Sequence, residues 1–146
     1  MLEFVKATGK VSIKLYGPDG KLKQSEESAN TVVTAGKNYL AAWLDDSSQS
    51  TPFMSYIAIG TGTTAPTVGD TALQTEVVRK QGVLSSATNV WQNTVTFGNG
   101  EGSGAITETG LFSEASAGTM FARKTFSAIN KASADNLVIT WQVTFA

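Results

Sequence analysis

The end of the chain, residues 136–145, alternates between apolar and mainly polar side chains. The apolar series is Leu137, Ile139, Trp141, Val143 and Phe145. Because successive residues of a β-strand point to opposite faces, this stretch predicts a strand with one dry face and one wetter face. Such a strand needs a second layer to cover its dry face, which favours an antiparallel sandwich.

Much of the remaining chain is also predicted to form short strands, separated by turns rich in glycine, serine and proline. The predicted strands are residues 10–16, 21–28, 53–59, 76–84, 90–97, 105–112 and 119–126. This spacing predicts a mainly β protein, an antiparallel β-sandwich or jelly roll with roughly eight to ten strands. Gly82 indicates a bulge within one strand, and the glycine-rich residues 98–104 predict a flexible connection.

One short α-helix is predicted, at about residues 35–45. Its apolar side chains recur at helical spacing, and Thr34 is placed to cap the first turn. The stripe consists of Tyr39, Leu40, Trp43 and Leu44. The polar residues 45–52 that follow predict a loop.

The length of 146 residues corresponds to a single domain, which can bury a sizeable core. Within this domain we expect the N-terminal hairpin, about residues 1–30, to form an arm that is available for contacts. Its second half is polar, which is typical of a strand with a wet face or at the edge of a sheet.

Cysteine and histidine are both absent from the sequence. Disulfides and thiolate metal sites are therefore excluded, and the commonest general base and metal ligand are missing. The net charge is −1 and the basic residues are scattered, so we expect no nucleic-acid or membrane partner. The start of the chain lacks the features of a signal peptide, and we expect synthesis in the cytoplasm. We also expect no enzymatic activity, no cofactor and no bound metal.

A stretch rich in glycine and threonine, residues 60–70, follows one of the predicted strands. Gly60, Gly62 and Ala65 match the Gly-x-Gly-x-x-Gly/Ala fingerprint of dinucleotide-binding sites. That site needs a helix that begins inside the motif, so that its N-terminus meets the pyrophosphate. Pro66 follows instead and no βαβ pattern surrounds it, which favours a surface or interface loop.

This stretch is our candidate loop for contacts between subunits. At its end, Asp70 is predicted to cap a single turn at residues 70–73. The candidate contact residues are Gly60, Thr61, Gly62, Thr63, Thr64 and Pro66. If the loop is such a contact, we expect replacement of Gly60 or Gly62 with valine to impair subunit assembly before it impairs any chemical activity.

Four charged residues, Glu76, Arg79, Glu108 and Arg123, fall among apolar neighbours in predicted strands. Two carboxylates could form a glycosidase pair, one as the acid and the other as the nucleophile or base. Buried or half-buried ion pairs that fix strand register explain the same residues more simply. We therefore predict structural ion pairs, and the spacing leaves open which acid meets which arginine.

Two further binding sites are weaker alternatives. Tryptophans could line a sugar-binding groove, as in a carbohydrate-binding module, although core positions are favoured for them. Aspartates 19, 45 and 46 could supply oxygen ligands to calcium, but no Asp-x-Asp-x-Asp-Gly loop is present. The tryptophans are Trp43, Trp91 and Trp141.

Several short segments occur in a fixed order along almost the whole chain. They are residues 9–13, 17–20, 30–36, 57–66, 70–73 with Glu76 and Arg79, 106–112, 120–123 and 137–141. Together they resemble small structural proteins of tailed bacteriophage virions, which include capsid decoration or cement proteins and modules labelled tail-fibre-like.

The resemblance implies a non-enzymatic virion structural protein, which as a capsid cement would lie on the exterior of the capsid. Its partners would be the major capsid protein and copies of this chain, in a dimer or trimer. A fibre needs an extended shaft and a receptor-binding tip, and the 146 residues contain neither. A capsid cement that stabilises the shell is therefore favoured over the alternative, a tail-fibre or baseplate-associated protein.

Overall fold

The computed structural model describes residues 5–48 and 53–146, which form ten β-strands and one α-helix, α1 (Thr34–Asp45). The strands are β1 (Ala7–Tyr16), β2 (Leu22–Ala29), β3 (Thr31–Val32), β4 (Tyr56–Gly60), β5 (Glu76–Gln81), β6 (Val83–Ala87), β7 (Val90–Phe97), β8 (Gly104–Phe112), β9 (Met120–Lys131) and β10 (Asn136–Phe145). They make two five-stranded antiparallel sheets. Sheet A has the order β2-β1-β10-β7-β6, and sheet B the order β3-β9-β8-β4-β5.

The C-terminal strand β10 lies at the centre of sheet A and has the dry face that its alternation predicts. Leu137, Ile139 and Trp141 are fully buried there. Ile139 lies opposite Ile13 of β1 on one side and Val95 of β7 on the other. These side chains pack against sheet B in one core, so the predicted antiparallel β-sandwich with one short helix is confirmed.

Sheet B buries side chains on both of its faces. Ile57 and Ile59 of β4 belong to the core between the sheets, whereas Ala58 belongs to a second apolar cluster. Because alternate residues of a strand point to opposite faces, this second cluster lies on the outer face of sheet B. Its other buried members are Val33, Leu73, Phe112 and Met120.

The helix α1 begins one residue earlier than predicted. Its N-cap is Val33, and no side chain caps the first turn. The predicted cap by Thr34 is wrong, because Thr34 is already helical and its backbone N–H donates to the carbonyl of Val68 at 2.7 Å. In the described part of the chain, no helix is long and apolar enough to cross a membrane.

One face of α1 packs closely on the sandwich. Gly36 lies so near the backbone of Phe121 that a Cβ atom at position 36 would collide with it. Leu40 packs against the main core. Leu44 is 76% exposed, so the predicted apolar stripe is too wide at this position. The polar loop predicted at residues 45–52 extends outside the described residues at positions 49–52.

The strand predicted at residues 76–84 is two strands that belong to different sheets. β5 is an edge strand of sheet B, and β6 is an edge strand of sheet A. Gly82 lies between them, where a Cβ atom would overlap the side chain of Asn93. The bulge predicted at Gly82 is therefore wrong, and this glycine instead allows the chain to cross between the sheets.

The N-terminal hairpin is an integral part of sheet A. β1 pairs with β10 along its whole length and contributes Val11, Ile13 and Leu15 to the core. β2 is the polar edge strand beside it. The use of this hairpin for contacts stays a prediction.

The glycine-rich connection before β8 carries several hydrogen bonds. Glu101 accepts from the backbone N–H of Gly98 at 2.7 Å and from the Nζ of Lys80 at 2.8 Å. The Nζ of Lys131 donates to the carbonyl of Gly98 at 2.8 Å. The connection is thereby attached to both β5 and β9.

Candidate functional site

The segment between β4 and β5, residues 61–75, is called the Gly/Thr loop here. It lies against the outer face of sheet B and inserts Leu73 into the second apolar cluster. The backbone N–H of Thr61 donates to the carbonyl of Thr75 at 3.0 Å, so the two ends of the loop are joined. The loop therefore covers a face that the strands alone would leave open.

A buried carboxylate, Glu108 of β8, holds this loop in place. Its Oε1 accepts from the backbone N–H groups of Gly62 at 3.0 Å and Thr75 at 2.7 Å. Its Oε2 accepts from the backbone N–H of Gln74 at 3.0 Å. Glu108 is fully buried, so one side chain satisfies backbone donors at both ends of the loop.

Arg123 of β9 completes the cluster from the neighbouring strand. Its Nε and Nη2 donate to Oε2 of Glu108 at 3.1 Å and 2.9 Å. Its Nη1 donates to Asp70 at 2.9 Å, and Nη2 also donates to the carbonyl of Thr64 at 3.0 Å. The guanidinium thus bridges a strand carboxylate, a loop carboxylate and the loop backbone, in the forked geometry that favours arginine over lysine.

The two glycines of the dinucleotide-like motif are explained by Glu108. A Cβ atom at Gly60 would collide with the carbonyl of Thr75, and one at Gly62 would come within 2.5 Å of the Glu108 carboxylate. The hydroxyl of Thr107 also donates to the carbonyl of Gly62 at 2.8 Å. The close approach that glycine permits to a phosphate in a nucleotide site is used here for an internal carboxylate.

Further hydrogen bonds fix the middle of the loop. The Oε1 of Gln74 accepts from the backbone N–H groups of both Thr63 and Thr64, at 2.8 Å and 2.9 Å. Asp70 accepts from the backbone N–H and the hydroxyl of Thr67, at 3.0 Å and 2.8 Å. The predicted cap by Asp70 over residues 70–73 is wrong, because these bonds run back toward Thr67 and no helical turn follows.

The outer surface of the loop is formed by small side chains. Gly60 and Gly62 are buried and Pro66 is half-buried, so the glycines lie beneath the surface and support it. Val68 is 57% exposed. From Thr61 to Gly69 the exposed residues are Thr61, Thr63, Thr64, Ala65, Thr67, Val68 and Gly69, and Thr71, Ala72, Gln74 and Thr75 are exposed in the rest of the loop.

Hydrogen bonds keep both acids of the cluster ionised at neutral pH. Burial by itself would raise the pKa of Glu108, but the hydrogen bonds from Thr75, Arg123, Gln74 and Gly62 outweigh it and hold the pKa below its ordinary 4.5. The pKa of Asp70 is likewise below its ordinary 3.8, because bonds from Thr67 and Arg123 outweigh the effect of burial. The buried Arg123 therefore faces two charged carboxylates.

Glu76 and Arg79, the other two residues predicted to form ion pairs, make a separate bidentate ion pair with each other. The Nε and Nη2 of Arg79 donate to Glu76 at 2.9 Å and 2.7 Å. Its Nη1 donates to the carbonyls of Glu114 and Ala117, and the guanidinium lies 3.6 Å from the ring centroid of Phe112. Glu76 therefore meets Arg79 and Glu108 meets Arg123, which the spacing alone left open.

The tryptophans are divided between the core and an apolar cavity. Trp141 is fully buried in the core. Trp43 and Trp91 are half-buried and line a cavity of about 210 Å³ between α1 and the sandwich. Aromatic and aliphatic side chains such as Phe121 and Phe145 form most of its wall.

Of the aspartates considered as calcium ligands, Asp45 is the last residue of α1, and Asp19 and Asp46 hold turns. Asp19 accepts from the backbone N–H of Lys21 at 3.0 Å, and Asp46 accepts from that of Ser48 at 3.0 Å. Within residues 5–48 and 53–146, no group of three or more acids, histidines or cysteines is placed to hold a metal ion.

Asp70, Gln74 and Thr107 are the site residues whose roles sequence reasoning missed. The sequence predicts only a cap at Asp70, and it gives no signal for Gln74 or Thr107. Asp70 and Thr107 act through contacts with distant residues, because 53 residues separate Asp70 from Arg123 and 45 separate Thr107 from Gly62. Gln74 acts within the loop, on the backbone of Thr63 and Thr64.

Comparisons with family models, with curated proteins and with solved structures found no match.

Proposed function

We propose that this chain is a non-enzymatic structural protein of a tailed bacteriophage virion, a capsid cement that binds and stabilises the shell of major capsid protein. The Gly/Thr loop is the surface that makes this contact. The observation that carries the proposal is the attachment of an exposed loop to the sheet by a fully buried carboxylate and a buried arginine. The part of the proposal that assigns the chain to a virion rests on the resemblance to virion structural proteins.

The construction of the loop suits binding to another protein. A loop that is already ordered loses little conformational entropy when it binds, so more of the contact energy appears as affinity. Its outer side chains are small, which lets a partner backbone approach closely. In a shell, many copies of a modest contact act together and give avidity without one strong site.

The hydrogen-bond partners of Glu108 and Glu76 also support a structural role. Glu108 accepts hydrogen bonds from three backbone N–H groups and from Arg123, which fills the acceptor positions of a carboxylate. Glu76 is held by both nitrogens of the Arg79 fork. Each acid therefore has its own arginine, as expected for ion pairs that hold strands and loops.

The test compares purified capsids that lack this protein with capsids to which it has been added back. We expect added protein to cosediment with the shells and to raise the temperature at which they release DNA. Thr64→Lys places a charge on the exposed loop surface while leaving the backbone contacts of Thr64, and we expect at least tenfold weaker binding. Ser116→Lys, in the exposed turn between β8 and β9, is the matched control and should bind like wild type.

Two results would contradict the proposal. Shells without the protein could prove as heat-resistant as complete shells, or Thr64→Lys could bind as tightly as Ser116→Lys. Immunogold label at the tail or vertex, with none across the shell, would instead support the tail-associated alternative.

A further inference from the structure

The outermost strand of sheet A, β6, has an open edge. Among the described residues, which leave out positions 49–52, it pairs with β7 on one side only, and every one of its residues is exposed. Val83 is 75% exposed. An edge strand of this kind presents unpaired backbone N–H and C=O groups that can pair with another strand.

β6 lacks the charges that protect the longer edges of this protein. No charged residue occurs between Lys80 and Glu101, a stretch that includes the whole β6–β7 hairpin. The edge strand β2 carries lysine and glutamate, and the edge strand β5 carries the Glu76–Arg79 pair and Lys80. The fourth edge strand, β3, has only two residues. Charges and short length are the usual means of blocking strand addition, and β6 has no charge.

We propose that two copies of this chain pair through β6, antiparallel across a twofold axis at Ser85, and join their A sheets into one continuous sheet. A twofold axis places each residue near its own copy, so a charge close to the axis would face a like charge. An uncharged strand avoids that repulsion. It also offers no complementary charge to a charged strand of a different protein, which favours a second copy as the partner.

The side chains of β6 fit this self-pairing. With Ser85 on the axis, Val83 lies opposite the partner's Ala87, and Leu84 lies opposite the partner's Ser86. Each larger apolar side chain therefore meets a small one, and cross-strand pairs are not crowded. This surface is separate from the Gly/Thr loop, so the inference goes beyond the proposed contact with a shell.

An apolar groove beside the edge would enlarge the contact. It is lined by Trp43, Phe53, Leu84 and Trp91 together with two serines of β6. Phe53 is 57% exposed. A strand added to β6 would lie next to these side chains, and the dimer would bury aromatic surface as well as backbone groups.

The test is sedimentation equilibrium of the full chain over a range of concentrations. We expect wild type to form a dimer, and Ser85→Lys and Ser85→Glu each to raise the dissociation constant at least tenfold. An equimolar mixture of these two variants should recover the dimer, because opposite charges then meet at the axis. Ser25→Lys is the matched control, since Ser25 is an exposed serine of β2 at the other edge of sheet A.

Equal denaturation midpoints for the Ser85 and Ser25 variants, measured at protein concentrations below the dissociation constant of the dimer, would show that any loss of dimer is not a loss of folding. The inference is overturned if wild type stays monomeric, if Ser85→Lys dimerises as tightly as wild type, or if the mixed variants fail to recover the dimer. None of these results bears on shell binding by the Gly/Thr loop, so the two proposals fail separately.

Discussion

Replacing Glu108 with alanine is expected to lower the free energy of unfolding by about 3–5 kcal/mol. The variant leaves Arg123 buried with Asp70 as its remaining acid, and it leaves the N–H groups of Gly62, Gln74 and Thr75 without their acceptor. Buried donors that lose a partner cost the full penalty of their desolvation. Urea denaturation followed by tryptophan fluorescence measures the change.

The exposed ion pair between Lys10 and Glu27 supplies the control. Its side chains are 47% and 59% exposed, and its atoms lie 3.0 Å apart. Because exposed ion pairs contribute little to the free energy of unfolding, Glu27→Ala is expected to change it by less than about 1 kcal/mol. A Glu108→Ala variant as stable as Glu27→Ala would contradict the structural role of the carboxylate.

The pH dependence of Glu108→Gln checks the same role. The pKa of Glu108 is lowered in the folded protein from an ordinary value of 4.5, so the unfolded chain takes up the proton first. The stabilisation is therefore complete above pH 4.5 and is lost as the pH falls toward the folded pKa. Glutamine does not titrate, so we expect the free energy of unfolding of the variant to fall less steeply as the pH is lowered. The slopes for wild type and variant should differ by at most about 1.4 kcal/mol per pH unit.

Replacing Gly62 with alanine is expected to destabilise the protein by about 1–3 kcal/mol, the usual cost of overpacking. The new Cβ atom would come within 2.5 Å of both the Gln74 side chain and the Glu108 carboxylate. Glu108 cannot move away without giving up its bonds to Arg123 and the loop amides. Denaturant unfolding measures the loss, and valine at this position should cost more.

Gly69 in the same loop is the matched control. No atom lies within 4 Å of a Cβ placed there, and its backbone is not in the left-handed region. Alanine reduces the conformational freedom of the unfolded chain, so Gly69→Ala should be neutral or slightly stabilising. If the two glycines tolerated alanine equally well, the close approach at Gly62 would not be the reason for glycine in the motif.

Alternation and turn residues were sufficient to predict the layers of this fold. The apolar series of β10 predicted a dry face, and Ile139 and Trp141 lie in it. The helix was predicted from the spacing of Leu40 and Trp43, within one residue of its start. These signals are local, because burial imposes a period of two on strands and of 3.6 on helices.

The features that the sequence did not predict depend on contacts between distant residues. To predict that the chain changes sheets at Gly82, one must know that the side chain of Asn93 lies against this glycine. In the sequence alone, Gly82 predicts only a bulge within one strand. Glu108 and Arg123 are two of the four residues predicted to form structural ion pairs, but neither their pairing with each other nor their attachment to the loop is predicted by the sequence. The sequence assigns the motif at Gly60 and Gly62 to a contact between subunits, and only the fold shows that both glycines lie close to the internal carboxylate of Glu108.

The central claim is that the Gly/Thr loop contacts another protein. Its most direct test compares amide hydrogen exchange in the free protein with exchange in the protein bound to assembled shells. In the free protein we expect the amides of Gly62, Gln74 and Thr75 to exchange slowly, because Glu108 accepts their hydrogen bonds. On binding, peptides that cover residues 61–72 should gain protection. Unchanged exchange in this loop, with new protection on another surface, would contradict the account.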